Sequence, residues 1–421
     1  MKWNTLYSSR IDSMGHSDVS EMLKLAEEPD VISFAGGLPD PDVFLLEEIR
    51  ESFDAVFAQR GRTALGYGPV AGIALFREWL AENMTRSGRS STVDECLVTT
   101  GGIAALDLIC KVLLDPGDVV VVGEPAYLAA LHVVRTYQGC FAGVPVDESG
   151  MQPDVLKSTL KDLKRKSVRP KFIYLVPSFQ NPSGATLSEN RRKKIVEIAN
   201  EYHVPIVEDA AYRGLRFEGK APPTLASLDP QNVIFINTFS KIFNPGVRIG
   251  WVTASEKFIG TLALAKQGQD QCATTIGQYA ALDFVSKGLI ERQTSRAIEI
   301  YRRKRDIMLA AMENYFPKSA RWTKSQGGFY TWATFPKEID TEALLPRSIE
   351  DISVAFGAGP SFYHNRKGKE HMRLCYSYVS ESKIEEGIQR LARLVSEAIK
   401  EKNGSISGSE QPRDHSQKKT R

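Results

Sequence analysis

Cysteine is scarce in this chain of 421 residues: Cys96, Cys110, Cys140, Cys272 and Cys375 are odd in number, far apart and never spaced as Cys-x-x-Cys. That excludes a disulfide framework and a structural zinc site, and the five read as reduced, mostly core residues. An excess of one charge is equally lacking. Lysine and arginine total 54 against 51 aspartates and glutamates, so no basic field large enough for nucleic acid or an anionic membrane is implied. Residues Met1 to Arg10 hold no apolar leader core, and no uninterrupted apolar run approaches the length of a membrane span. A soluble, cytoplasmic protein is expected. What is present is core material: 42% of residues are apolar and 25% charged, enough for two domains.

From about residue 90 to 285 apolar runs alternate with amphipathic segments, the pattern of an α/β domain with a mostly parallel sheet. Candidate strands are Cys96 to Thr99, Val119 to Val122, Phe172 to Val176, Pro205 to Val207, Val233 to Ile236 and Gly250 to Val252. A long helical stretch follows from Gln278 to Tyr315. Shorter strands around Gly328 to Trp332, Ile352 to Phe356 and Met372 to Tyr376 then suggest a smaller α+β domain, closed by an amphipathic helix from Glu381 to about Lys400 with Ser380 as N-cap. Residues 403–421 have almost no apolar content and are expected to be a disordered tail. No internal repeat is visible.

In open sheets of this kind function gathers at strand C-terminal ends, and the loops there are specific. After the apolar strand Val233 to Ile236 comes Ser240-Lys-Ile-Phe-Asn-Pro-Gly-Val-Arg-Ile-Gly250. Lys241 lies too near that core to be an ordinary solvated amine, and an amine held there can condense with an aldehyde. Arg248, redirected by Pro245 and Gly246, can return to the same pocket and grip a phosphate in bidentate fashion. Thr100, Gly101 and Gly102 precede the helix Ile103 to Leu114, whose first amides and dipole favour an anion. Tyr127 can lie flat against a pyridine ring. Asn181, in the loop after Phe172 to Val176, can donate to a phenolate oxygen. Asp209 ends the strand before Tyr212, where a partly desolvated carboxylate needs a cation, and a protonated pyridine nitrogen is one. Taken singly, these features also read as a basic surface turn, a strand-to-helix turn, core packing, an Asn-Pro turn and an ordinary salt bridge.

Together, the Gly-Gly turn, Asn-Pro-x-Gly, Asp-x-Ala-Tyr and Ser-Lys-x-x-x-Pro-Gly-x-Arg-x-Gly resemble the fold-type I pyridoxal phosphate-dependent aminotransferases over roughly residues 5 to 400. Ser33-Phe-Ala-Gly-Gly-Leu-Pro39 and Gln180-Asn-Pro182 are most similar to the branch containing 2-aminoadipate, kynurenine and aromatic aminotransferases. The resemblance implies an α/β fold with a large domain on a mostly parallel seven-stranded sheet and a smaller α+β domain. The expected division is an N-terminal segment with part of the small domain (1–60), a large cofactor-binding domain (61–285), a small domain (286–402) and the tail. It implies pyridoxal 5'-phosphate, a homodimer with its active site at the subunit interface, and transfer of an amino group from an L-amino acid to a 2-oxo acid. Lys241 then resembles the internal-aldimine lysine, Asp209 the pyridine-nitrogen partner, Asn181 and Tyr212 the O3' ligands and Tyr127 the stacking aromatic. Gly102, Ile103, Thr238, Ser240, Arg248 and the partner subunit's Tyr67 would hold the phosphate, with Gly37, Asn181 and Arg373 on the substrate.

Departures from the pattern narrow the substrate. Relatives that accept a second carboxylate usually carry an arginine where this chain has Ser20, in Asp18-Val-Ser-Glu-Met-Leu-Lys24. Ile103 stands where polar residues are frequent and Ala210 where a second acid is common. These point to a neutral, aromatic or otherwise unusual amino acid. The same scaffold also serves elimination, cyclisation and oxygen-dependent oxidation. A regulator with a fused helix-turn-helix is disfavoured, because the motifs begin near residue 31.

Overall fold

Alternate residues of the central strands point to opposite faces, and in this chain both sets are apolar. Leu97, Val120, Val122, Ile234, Ile236 and Val252 join one buried cluster, while Val98, Val121, Ile173, Val233, Phe235 and Trp251 join another. A sheet buried on both faces is the result, as expected for parallel strands covered by helices. The computed structural model describes residues 1–14, 18–28 and 30–407. The main sheet comprises β1 (Cys96–Thr99), β2 (Val119–Glu124), β3 (Cys140–Asp147), β4 (Gly150–Met151), β5 (Phe172–Leu175), β6 (Ile206–Asp209), β7 (Val233–Thr238) and β8 (Gly250–Thr253). Their spatial order is β1-β8-β7-β6-β5-β2-β3-β4.

Seven of these form the expected mostly parallel sheet, and β4 adds a two-residue antiparallel partner at the edge of β3. Strands β3, β2, β5, β6 and β7 run parallel to one another. Strand β8 runs against both of its neighbours, with Gly250 opposite Thr99 on one side and Thr238 on the other. Its N-terminal end therefore lies at the C-terminal edge of the parallel strands. That reversal brings Arg248 to the same edge as Lys241. Helix α1 (Gly102–Leu113) packs Ala105, Leu106 and Ile109 onto the first cluster, so its N-terminus opens at that edge too.

The smaller sheet is antiparallel, β9 (Arg321–Trp322), β10 (Tyr330–Thr334), β12 (His371–Cys375) and β11 (Gly357–Ala358) in spatial order. The expected helical stretch from Gln278 to Tyr315 is two helices, Thr275–Ser286 and Leu289–Tyr315, parted by Gly288 at φ +69°. The expected strand around Ile352 to Phe356 is shorter. Its Val354–Ala355 pairs in parallel with Ile32–Ser33 as a separate ribbon. The Phe34 amide donates to Ala355 O at 2.8 Å and its carbonyl accepts from the Cys375 amide at 3.0 Å, which fastens the loop leading to Gly37. The last helix spans Glu381–Ser407, so the first residues of the tail expected from Asn403 belong to it. Residues 408–421 lie outside the described residues. Among the described residues, no helix is long and apolar enough to cross a membrane.

The close approach of β8 to the Gly101–Gly102 turn is checkable. A Cβ at Gly250 would stand 2.5 Å from the Gly101 carbonyl carbon, 2.7 Å from the Gly102 nitrogen and 2.9 Å from the Asn237 oxygen. All three are backbone atoms and cannot swing aside. Gly250→Ala is expected to cost about 1–3 kcal/mol of stability, read as a lower urea midpoint for unfolding.

Candidate active site

The ends of β1, β2, β5, β6 and β7 and the start of β8 deliver their side chains to one region. Lys241 follows β7 in a single 3-10 turn, Phe239–Lys241, capped by the Thr238 hydroxyl, which accepts from the Ser240 amide. Its Nζ donates to the carbonyl of Gly37 at 2.8 Å and sits 5.3 Å from the centre of the Phe329 ring. Burial pushes the Lys241 ammonium down to about 8; Arg248 and Arg373 push the same way, while Cys375 and Asp209 oppose. A desolvated amine prefers to be neutral. It is therefore a nucleophile near physiological pH, unlike an exposed lysine.

Asp209 closes β6. Its carboxylate accepts from the Tyr174 hydroxyl at 2.8 Å and from the Ala211 amide at 3.2 Å. Burial nonetheless raises its pKa above the ordinary carboxylate range, with Tyr174, Ala211 and Lys241 pulling it back. An acid in that state gains by meeting a cation. Tyr127 caps the helix Leu128–Thr136, and burial pushes its phenol up to about 12.

An anion cradle lies at the opposite end of the region. The Arg248 guanidinium donates to Ser240 Oγ at 3.3 Å and to Thr100 O at 3.3 Å, and Thr238 Oγ1 donates to Ser240 Oγ at 2.9 Å. A Cβ on Gly101, at φ +100°, would stand 2.4 Å from Arg248 Nη2. The turn is glycine because the guanidinium and the start of α1 must share that space. Gly102 and Ile103 supply the first amides of α1.

On the substrate side, Arg373 of β12 is 3% exposed. Its Nη1 donates to Asn181 Oδ1 at 3.0 Å and its Nη2 to the Ala35 carbonyl, between the rings of Tyr330 and Phe362, each 4.7 Å away. Its Nε has no hydrogen-bond partner among the described residues. A buried guanidinium facing no carboxylate is the complement of a carboxylate ligand. Gly37 lies between Lys241 and Tyr330, whose hydroxyl would be 2.2 Å from a Cβ there. Tyr67 stands apart from this assembly at 91% exposure.

The expected site residues thus converge, apart from Tyr67. Three others were not foreseen. Tyr330 places its hydroxyl 3.0 Å from that of Tyr212 and 3.3 Å from Asn181 Nδ2. Tyr174 holds Asp209. Gln180 ties the Asn181 loop to Pro125 O at 2.5 Å. The lone hydroxyl in the apolar run Phe172–Leu175 was a signal for Tyr174; Tyr330 gave none beyond its strand.

These residues fit pyridoxal phosphate: a reactive amine, an anion cradle with two hydroxyls and an arginine, and an acid with a raised pKa at the strand end. Comparison with known proteins agrees. Residues 29–391 match the family model for aminotransferase class I and II. The aromatic-amino-acid aminotransferase 1 of Thermococcus litoralis is 40% identical over 402 residues, covering 95% of this chain and 96% of that one. The 2-aminoadipate transaminase of Thermus thermophilus is 35% identical over 397 residues, with 93% and 97% coverage. The solved Pyrococcus horikoshii kynurenine aminotransferase, in complex with PMP and kynurenine, superposes with a TM-score of 0.90 at 39% identity, covering 94% of this chain and 98% of that one.

With the Lys241 pKa lowered to about 8, the amine is neutral above that pH and charged below it. Capture of pyridoxal phosphate by the apoprotein, followed by stopped flow from pH 6 to 10, is expected to accelerate up to about pH 8 and then level off. A rate still climbing toward pH 10, as for an ordinary lysine, would contradict the desolvated environment.

Proposed function

The chain belongs to the aminotransferase class I and II family, and on that premise we propose that Lys241, Asp209 and Tyr127 form its reacting centre and that aromatic L-amino acids are its preferred donors. It is a pyridoxal phosphate-dependent aminotransferase moving an amino group between an L-amino acid and a 2-oxo acid. The observation that carries the assignment is the meeting, at one sheet edge, of a desolvated amine, an acid of raised pKa and the Arg248–Ser240 pair.

When bound, pyridoxal phosphate supplies an aldehyde for amines and a protonated ring that withdraws electrons from the carbon being deprotonated. Lys241 Nζ would hold the cofactor through its aldehyde and, when free, would serve as the base for the proton on the substrate Cα and as its donor afterwards. Asp209, oriented by Tyr174, would keep the ring nitrogen protonated, and Tyr127 would stack on the ring. Asn181 and Tyr212 would donate to the phenolate oxygen, and Thr238, Ser240, Arg248 and the Gly102 and Ile103 amides would hold the phosphate. Arg373 takes the α-carboxylate, with Asn181 and the Gly37 backbone beside it, so that one Cα substituent is presented to Lys241.

The preference for aromatic donors is supported by Ser20, which offers no charge to a distal carboxylate. It is supported too by the apolar cluster of Met22, Ala35, Leu128, Trp332, Phe362 and Tyr363, of which Met22, Ala35 and Phe362 touch Arg373. Among relatives, the Thermococcus litoralis protein is named for aromatic amino acids. Tyr67 and Leu65, 91% and 71% exposed on the single chain, suit a homodimer in which Tyr67 reaches the partner's phosphate. A cytoplasmic location accords with this chemistry.

Four outcomes are expected. In a panel of amino donors, kcat/KM for aromatic amino acids should exceed that for 2-aminoadipate by about tenfold or more, and Arg373→Ala should raise the amino-acid KM about 30-fold or more, the loss of a charge-assisted contact, while the visible band of bound cofactor persists. Sedimentation should give a species at twice the 46.7 kDa of one chain, with Tyr67→Phe weakening pyridoxal phosphate binding about tenfold; an active monomer would refute the shared site.

A further inference from the structure

Tyr330 opens β10 and pairs with Cys375 at the end of the strand that carries Arg373. It is 1% exposed, and a buried phenol must place its hydroxyl on polar partners. The partners it finds belong to the main sheet. Tyr212 Oη lies at 3.0 Å and Asn181 Nδ2, donating to Tyr330 Oη, at 3.3 Å. These are the two donors assigned above to the cofactor's phenolate oxygen. The other face of the same residue supports the substrate clamp: Arg373 Cζ stands 4.7 Å above the Tyr330 ring, while its Nη1 donates to Asn181 Oδ1. Tyr212 meets the ring edge-on, 5.6 Å between centroids. The space is reserved for the hydroxyl, because even a methyl group on Gly37 would collide with it.

Proton bookkeeping gives the arrangement direction. Asn181 spends its oxygen on Arg373 and one N–H on Tyr330, which leaves its second N–H to donate. Burial holds the phenols of Tyr330 and Tyr212 above their ordinary pKa, so both stay protonated. If Tyr330 accepts from Asn181 and donates to Tyr212, the Tyr212 hydroxyl is left free to donate and is polarised by the bond it receives.

We propose that Tyr330 is a positioning residue, whose hydroxyl strengthens the Tyr212 and Asn181 donors to the phenolate oxygen and whose ring holds Arg373 in register for the α-carboxylate. One side chain thereby links the acidity of the lysine–cofactor linkage to the seating of substrate. Donors to the phenolate oxygen draw charge away from it and weaken its hold on the linkage proton, so they lower the pH at which the visible band of the holoenzyme titrates. Loss of the Tyr330 hydroxyl should raise that midpoint.

The inference rests on the assignment of Tyr212 and Asn181 to the phenolate oxygen, and the test separates the two. The visible band of the holoenzyme is titrated for the wild type, Tyr212→Phe, Tyr330→Phe and Tyr330→Leu, with steady-state kinetics alongside. Tyr330→Phe, which keeps the ring, is expected to move the midpoint up by about half a unit to one unit, the equivalent of one net hydrogen bond. It should lower kcat while leaving the amino-acid KM within about twofold. Tyr330→Leu should in addition raise that KM about tenfold, because the platform under Arg373 is gone. If Tyr212→Phe shifts the midpoint and Tyr330→Phe leaves it in place or lowers it, the role of Tyr330 is overturned. It is overturned too if Tyr330→Phe raises KM as much as Tyr330→Leu. If Tyr212→Phe itself has no effect on the midpoint, the phenolate assignment falls and this inference with it.

Discussion

Lys241 donates to the carbonyl of Gly37, and most of what surrounds it follows from the difficulty of keeping an amine out of water at that point. An ammonium so placed is destabilised, and the structure meets this with a neutral acceptor rather than a carboxylate. A carboxylate at that distance would hold the proton and raise the pKa; a backbone carbonyl leaves the amine poised near 8. The acceptor comes from outside the main sheet, from the loop that follows Ile32–Ser33. Hence the ribbon of Ile32–Ser33 with Val354–Ala355, and the bonds of Phe34 to Ala355 and Cys375, are needed to hold Gly37 still.

Ion pairs at the Gly37 loop and at the end of β2 share that purpose. Lys304, buried in the helix Leu289–Tyr315, is paired with Asp40 and also donates to Ser377 O at 3.0 Å, clamping the far end of the Gly37 loop to the segment after Arg373. Glu124, at the end of β2, accepts from Lys367 Nζ at 2.6 Å and from His364, next to the turn that sets Tyr127. These charges are almost wholly withdrawn from water on the acid side, where breaking one partner costs far more than a surface pair is worth. They fix geometry at the boundary where substrate must fit.

The parts of this architecture that could be read in the sequence are those written locally. Apolar runs of three to five residues, each but the last followed by polar or Gly/Pro-rich residues, gave β1, β2, β5, β6, β7 and β8 within a residue or two, and with them the loops of Lys241, Asp209 and Asn181. Strand β3 was missed although five of its eight residues are apolar, because Gly143 and Pro145 interrupt the run and read against a strand. The break between Thr275–Ser286 and Leu289–Tyr315 was missed because Gly288 sits in an otherwise continuous helical pattern, where one glycine costs only about 1 kcal/mol. Tyr330 and Gln180 were beyond reach for a different reason. Their roles arise from contacts between segments some 150 residues apart, or 55 in the case of Gln180, and no local period encodes such a meeting.

The electrostatics of the site connect folding to cofactor binding. Burial drives Lys241 and Asp209 each toward its neutral form, while Arg248 and Arg373 keep fixed positive charge in the same region. Such a site is unfavourable for the protein alone and favourable for a ligand that brings a phosphate to Arg248, a carboxylate to Arg373 and a protonated nitrogen to Asp209. Each of those charges meets its opposite in surroundings with little competing water. Binding energy is therefore stored in the fold as unrelieved burial, and its release on loading stabilises the native state by mass action. The same reasoning explains why a second acid beside Asp209 would be costly here: at position 210 the chain has alanine, 3% exposed in the apolar cluster on the other face of the sheet, where an ionised side chain would be withdrawn from water.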